Sequence, residues 1–157
     1  MEMIPSAPFN TAVNTAAPQV AALCWRMHNR HVQVLLITSR DTGRWILPKG
    51  WPMADLTPAA AAAREAWEEA GVEGKVGEAA VGEFCYDKII QATATVPCAV
   101  AVYALRVRAL KARFPEAHQR RRAWFRARDA AELVAEPSLR DLLRHIDAQP
   151  GLLSGAA

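Results

Sequence analysis

Apolar positions in this chain fall in short runs broken by polar residues, a pattern of strands with a few helices between them. Residues 19–27 read as a strand and His31–Thr38 as its hairpin partner, with the polar stretch 28–30 as the turn. Residues 44–47 predict a further short strand that stops at Pro48. Residues 49–56, with Gly50 and Pro52, predict a loop. Thr57 is a good N-cap, Pro58 suits the first helical position, and an alanine run at 59–63 favours a helix. Gly71 suits the position just past its end, so the helix should span Pro58–Ala70. Residues 79–86 and 96–107 read as strands. The second is apolar on both alternating faces, so helices should cover both sides of the sheet. Residues 123–125 predict a short strand, and 129–134 and 138–146 two closing helices, the last capped by Ser138. The order implies an α/β layered sandwich, α/β/α, around a central mixed β-sheet.

At 157 residues the chain fits one domain, placed at 18–147. Residues 1–17 read as a loose leader and 148–157 as a frayed tail. Hydrophobic content of 52% against 22% charged residues argues for a globular body. Cys24, Cys85 and Cys98 show no CxxC spacing and lie in apolar runs, so they read as buried free thiols in a reducing cytoplasm. His28, His31, His118 and His145 form no ligand pair, which argues against zinc. Neither a signal peptide nor a membrane-spanning run is visible. The net charge of +3 does not call for nucleic acid, but it suits an anionic small molecule if the basic groups gather in one place.

The chemistry concentrates on the predicted helix. Glu65, Glu68 and Glu69 stand at i, i+3 and i+4 and share one face. Such a set is oxygen-rich and suits Mg²⁺, or Mn²⁺ in its place. A solvated acidic face is the competing reading. Two like-charge pairs cost about 0.2–0.5 kcal/mol each. Glu68 and Glu69 in the last turn oppose the helix dipole by roughly 0.3–1 kcal/mol apiece. Arg64 with Glu68 offsets about 0.3–0.5 kcal/mol. A divalent cation would remove the small remaining penalty, and spacing alone leaves both readings open.

The wider pattern decides between them. Gly50 stands fourteen residues before Arg64-Glu65-Ala66-Trp67-Glu68-Glu69-Ala70-Gly71-Val72. These 23 residues resemble the signature box of the Nudix hydrolases. The resemblance implies Glu65, Glu68 and Glu69 as metal ligands, with the Gly50 carbonyl adding another. It implies Glu68 or Glu69 as the base that accepts a proton from water, and Arg64 as the residue orienting the carboxylates. Leu56 departs from the pattern, which has a glutamate there; Asp55 beside it could serve instead. Glu83, on a predicted strand, is a weaker candidate for base or extra ligand.

Basic residues recur at predicted strand ends. Arg26, Arg40, Arg44, Lys49, Lys88, Arg120 and Arg122 could grip phosphates, and Gly50 joins the substrate-binding candidates. Taken singly, each is more often a surface charge. Together with Leu23-Cys24-Trp25-Arg26, Arg44-Trp45-Ile46-Leu47-Pro48 and Arg120-Arg121-Arg122-Ala123-Trp124-Phe125, they are similar to the diphosphoinositol polyphosphate phosphohydrolase branch of that family. The branch implies diphosphoinositol polyphosphates or diadenosine polyphosphates as substrates. Trp51 and Phe84 could stack on an adenine, as in a nucleoside-diphosphate-linked substrate; Trp45 and Trp124 read as packing, and Trp67 as packing on the sheet. The expected protein is a monomer or homodimer. A nucleotide-sensing module without turnover and an RNA 5′-end pyrophosphohydrolase are the alternatives.

Overall fold

The computed structural model describes residues 16–156, so most of the expected leader lies outside the described residues. Twelve elements follow in order: β1 (Ala17–His28), β2 (His31–Thr38), β3 (Trp45–Ile46), β4 (Lys49–Gly50), α1 (Pro58–Ala70), β5 (Val72–Val76), β6 (Gly82–Gln91), β7 (Ala94–Leu110), β8 (Arg122–Arg126), α2 (Ala127–Leu133), α3 (Pro137–Ala148) and α4 (Gly151–Ala156). The β1–β2 turn places Asn29 at φ 50° and Arg30 at φ 69°. Two left-handed residues make the mirror-image turn whose twist matches that of the strands it joins.

The sheet runs β3-β2-β1-β7-β5, with β4 on β1, β6 on β7 and β8 on β2. β1 and β7 are parallel and all other pairs antiparallel, which makes the sheet mixed. β7 has 17 residues, enough for β6 and β5 to pair with successive stretches of it while β1 pairs along Cys98–Arg106. Alternation along β1 divides the core in two. Ala21, Leu23 and Trp25 face α2, α3 and α4, whereas Val20, Ala22 and Cys24 face α1. The predicted α/β/α sandwich is the one observed.

α1 begins and ends where its caps require. The Thr57 hydroxyl accepts from Ala60 N at 3.1 Å, and Gly71 turns left-handed at φ 67°. Its inner face is alanine: Ala59, Ala61, Ala62, Ala66 and Ala70 are all buried. Small side chains bring this helix close to the sheet, which sets the depth of the glutamates on its flank.

Several expectations fail for identifiable reasons. Lys49–Gly50 is not free loop but pairs with Ala21 and Val20. A five-residue strand, β5, follows α1 directly, its polar Glu73 and Lys75 having hidden the signal. Pro137, not Ser138, opens α3, and Glu136 holds the cap position without a side-chain bond. The expected tail instead forms α4, whose Leu153 is fully buried against the α2–α3 side of the core. Cys24 and Cys98 are buried as expected, but Cys85 is exposed. No helix among the described residues is long and apolar enough to cross a membrane.

Arg126 ties β8 to the end of α3 through two bonds to Asp147, Nε–Oδ1 at 3.0 Å and Nη2–Oδ2 at 3.2 Å. Hydrogen bonding from that guanidinium holds the Asp147 carboxyl below the usual carboxylate range. A group depressed on folding stabilises the fold above its unfolded pKa, and that stabilisation is lost as pH falls through its folded value. Asp147→Asn should therefore lower the melting temperature at neutral pH, with the gap to the parent closing in strongly acidic buffer. Melts across pH check this, and a gap constant with pH would contradict it.

Candidate active site

The site forms where β4 meets the last turns of α1. Gly50 pairs with Val20, on the face that α1 covers. A side chain at position 50 would run into the Glu65 carboxylate, so glycine is what lets the loop lie against the helix. One residue earlier, the Lys49 amide donates to Glu69 Oε1 at 3.2 Å. Loop and helix are therefore joined through the glutamates. Leu56, in place of the usual glutamate, packs half-buried against the α1-side core, and its amide closes a turn to Met53 O at 3.1 Å. Asp55 is exposed.

Glu65 and Glu69 stand one turn apart on α1 and act on one another electrostatically. Burial and the interactions with Glu69, Glu68 and Glu116 push Glu65 up to about 8. Burial also raises Glu69, against the pull of Arg120. Neighbouring buried carboxylates raise one another's pKa, and a bound cation relieves that repulsion. Glu68 is half-buried beside them. The expected meeting of three side chains is thus realised as a pair: among the described residues no three His, Cys, Asp or Glu form a ready coordination sphere. The donor set still fits a hard divalent ion, being all oxygen.

Glu116 adds a carboxylate that no motif marked. Its amide donates to Glu68 O at 3.0 Å, and its charge raises both Glu65 and Glu69. The only hint in the sequence is its place four residues before Arg120.

The basic residues separate into two groups. Arg40, Lys49, Lys88 and Arg120 line a cavity of about 180 Å³ that also contains Glu69 and Asp41. Arg44 borders an adjoining hollow with Lys49 and Lys88. Burial lowers the pKa of Lys49, whose Nζ lies 4.7 Å over the Tyr86 ring. Arg122 instead closes the end of α1, with Nη1 donating to Ala70 O at 2.6 Å. It also borders a second cavity of about 250 Å³ on the other flank of Glu69, beside Phe114 and His118.

Other candidates lie elsewhere. Arg26 pairs at the far end of β1, six positions from Val20 and about 20 Å away at the usual strand rise. There it donates to Gln33 Oε1 at 2.8 Å and stacks 4.1 Å over Trp124. Arg64 is exposed and, among the described residues, forms no bond or ion pair with the glutamates it was expected to orient. Glu83 is exposed in the same transverse row as Gly50, but three strand spacings off, about 14 Å. Phe84 is 3% exposed in the opposite half of the core and cannot stack on a ligand. Trp51, 44% exposed beside Gly50, remains available. Trp67 packs on Phe114, with ring centroids 6.5 Å apart, rather than on the sheet.

Comparison with known proteins supplies independent evidence. The NUDIX domain family matches residues 17–146. Nudix hydrolase 16, mitochondrial, of Arabidopsis thaliana is 36% identical over 115 residues, covering 71% of this chain and 63% of the relative. Human diphosphoinositol polyphosphate phosphohydrolase 3-alpha is 42% identical over 59 residues, 38% of this chain and 36% of the relative. The chain therefore spans under two thirds of the length of these curated relatives. Among solved structures, the C. elegans Ap4A hydrolase aligns over 85% of this chain and 97% of its own, with a TM-score of 0.63 at 18% identity. A Nudix hydrolase from Nitrosomonas europaea covers 87% of this chain and 90% of its own at 0.64 and 17%. At such identities the structural likeness speaks for the fold alone. The family match extends over nearly the whole described chain and contains the complete glycine-to-helix segment, and on that ground the protein belongs to the Nudix family.

Proposed function

We propose that the protein is a Mg²⁺-dependent pyrophosphohydrolase that cleaves a phosphoanhydride bond in a polyphosphorylated small molecule. The observation that carries this reading is the placement of Glu65 against Gly50 and of Glu69 on the Lys49 amide, with Glu69 opening onto the basic cavity of Arg40, Lys49 and Lys88. The named relatives support the substrate class, of the diphosphoinositol polyphosphate or diadenosine polyphosphate type.

Glu65 and Glu69, with Glu68 beside them and the Gly50 carbonyl, are the groups that would hold the cation. Once bound, it supplies charge to offset the phosphates and to acidify water. Arg40, Lys49 and Lys88 bind the outer phosphates, Arg as a fork and Lys as point charges. Glu68, free of the ties that hold Glu69 to Lys49, accepts the proton of the attacking water.

A substrate panel assayed for phosphate release with and without Mg²⁺ tests the reading, alongside Glu68→Gln. The parent should turn over polyphosphorylated small molecules only with metal, and the variant should lose about 100-fold or more in kcat, the scale of a lost general base. Tight binding without turnover would point to a sensing module, and activity confined to RNA 5′ ends to the other alternative. Wild-type turnover by the variant would remove Glu68 from its role.

A further inference from the structure

Arg120 stands out because its buried guanidinium reaches three partners at once. Its side chain is 9% exposed. Nη1 donates to Thr38 O at 3.2 Å, Nε donates to Glu116 Oε1 at 3.2 Å, and Nη2 lies 3.8 Å from Glu69 Oε2. Those partners come from three separate pieces of chain: the end of β2, the segment between β7 and β8, and the last turn of α1. The first is a firm anchor. Thr38 also takes the Arg121 amide on its hydroxyl at 2.9 Å and donates its own amide to Arg121 O at 3.0 Å.

An arginine that grips phosphate needs two free, parallel N–H groups. Arg120 commits Nε and Nη1 to protein acceptors and turns Nη2 toward Glu69, whereas exposed Arg40 bonds, among the described residues, to Gln119 alone, at 3.0 Å. The carboxylates need the opposite of a substrate contact. Glu65, Glu69 and Glu116 repel one another, and nothing else cationic sits between Glu116 and Glu69 among the described ion pairs. We propose that Arg120 is a positioning residue of the carboxylate centre, acting through Glu69 and Glu116, and not a substrate-binding residue. It holds the two side chains at fixed places relative to β2, so that a divalent ion meets a formed set of oxygens. The role rests on the metal-dependent hydrolysis proposed above.

The test compares the parent, Arg120→Lys and Arg120→Met in two measurements. Mn²⁺ alone is titrated and followed by electron paramagnetic resonance without substrate. Steady-state kinetics then use the best substrate of the panel. Both variants should bind Mn²⁺ about 10–100-fold more weakly, the usual effect of removing a group that orients ligands. The fall should appear in kcat, with KM moving less than about threefold. Lysine should fail with methionine, because one ammonium on a flexible stem cannot bridge three fixed acceptors. Unchanged Mn²⁺ binding, a rise in KM with kcat intact, or full rescue by lysine would each overturn the proposal. Thermal melts confirm folding, and if the methionine variant does not fold, the lysine variant decides alone. A parent that binds Mn²⁺ but hydrolyses nothing would sink the enzymatic reading while the Mn²⁺ comparison still judges Arg120. A parent that binds no Mn²⁺ overturns both.

Discussion

Glu69→Gln should reduce kcat/KM about a thousand-fold, the equivalent of roughly 4 kcal/mol of lost transition-state stabilisation. The substitution changes shape very little. The Lys49 amide, 3.2 Å from Oε1, can still donate to an amide oxygen, so β4 stays against α1. What disappears is one negative charge beside Glu65, from a side chain only 8% exposed. Burial raises the pKa of both carboxyls, and a bound cation would offset that cost. The variant should therefore keep its melting temperature in metal-free buffer while losing most of the stabilisation that added Mg²⁺ gives the parent. Kinetics together with melts at several Mg²⁺ concentrations would show it. Turnover within threefold of the parent, or an equal response to Mg²⁺, would remove Glu69 from the centre.

The largest effect on stability should come from the end of the chain. Leu153→Ala is expected to cost about 2–5 kcal/mol, the range for emptying a fully buried leucine site. Leu153 has no exposed surface and sits in the same cluster as Leu139, Leu143 and Ile146 of α3. α4 has only six residues, too few to be helical alone, so its packing is what keeps it folded. Removing the side chain should release the helix as well as open a cavity. Chemical denaturation would measure the loss, and amide exchange across 151–154 would show whether α4 detaches first. A change under about 0.5 kcal/mol, the size of a surface substitution, would mean that Leu153 is not part of the core.

Legibility in the sequence followed the range of the interactions. α1 could be bounded to the residue because its caps are local: Thr57, Pro58 and Gly71 act within one turn of themselves. The β1–β2 hairpin was legible for the same reason, whereas Gly50 was tied to the glutamates through the family resemblance and its contact with Glu65 is seen in the structure. Long-range pairings left no such trace. Nothing near Arg120 in the chain announces Thr38, and nothing near Arg122 announces the Ala70 carbonyl. From the sequence both therefore read as phosphate-gripping candidates. Arg26 was misplaced because a strand end can face either end of the molecule, and Phe84 because alternation fixes a face without saying which core covers it. The short β5 and α4 fell below the length at which periodicity carries information.

The parallel pairing of β1 with β7 carries a consequence for synthesis on the ribosome. Ala17 lies opposite Cys98, a separation of 81 residues (98 − 17). At about 5–20 residues per second, β1 waits roughly 4–16 s for its neighbour to emerge. During that interval one edge of an apolar strand is unsatisfied, an invitation to pair with another nascent chain. The glutamate helix is complete by residue 70, long before β7 exists to support it. Aggregation during expression should thus track the delay before β7 arrives, and slowing translation between residues 70 and 98 should lower the soluble yield without altering the protein that does fold.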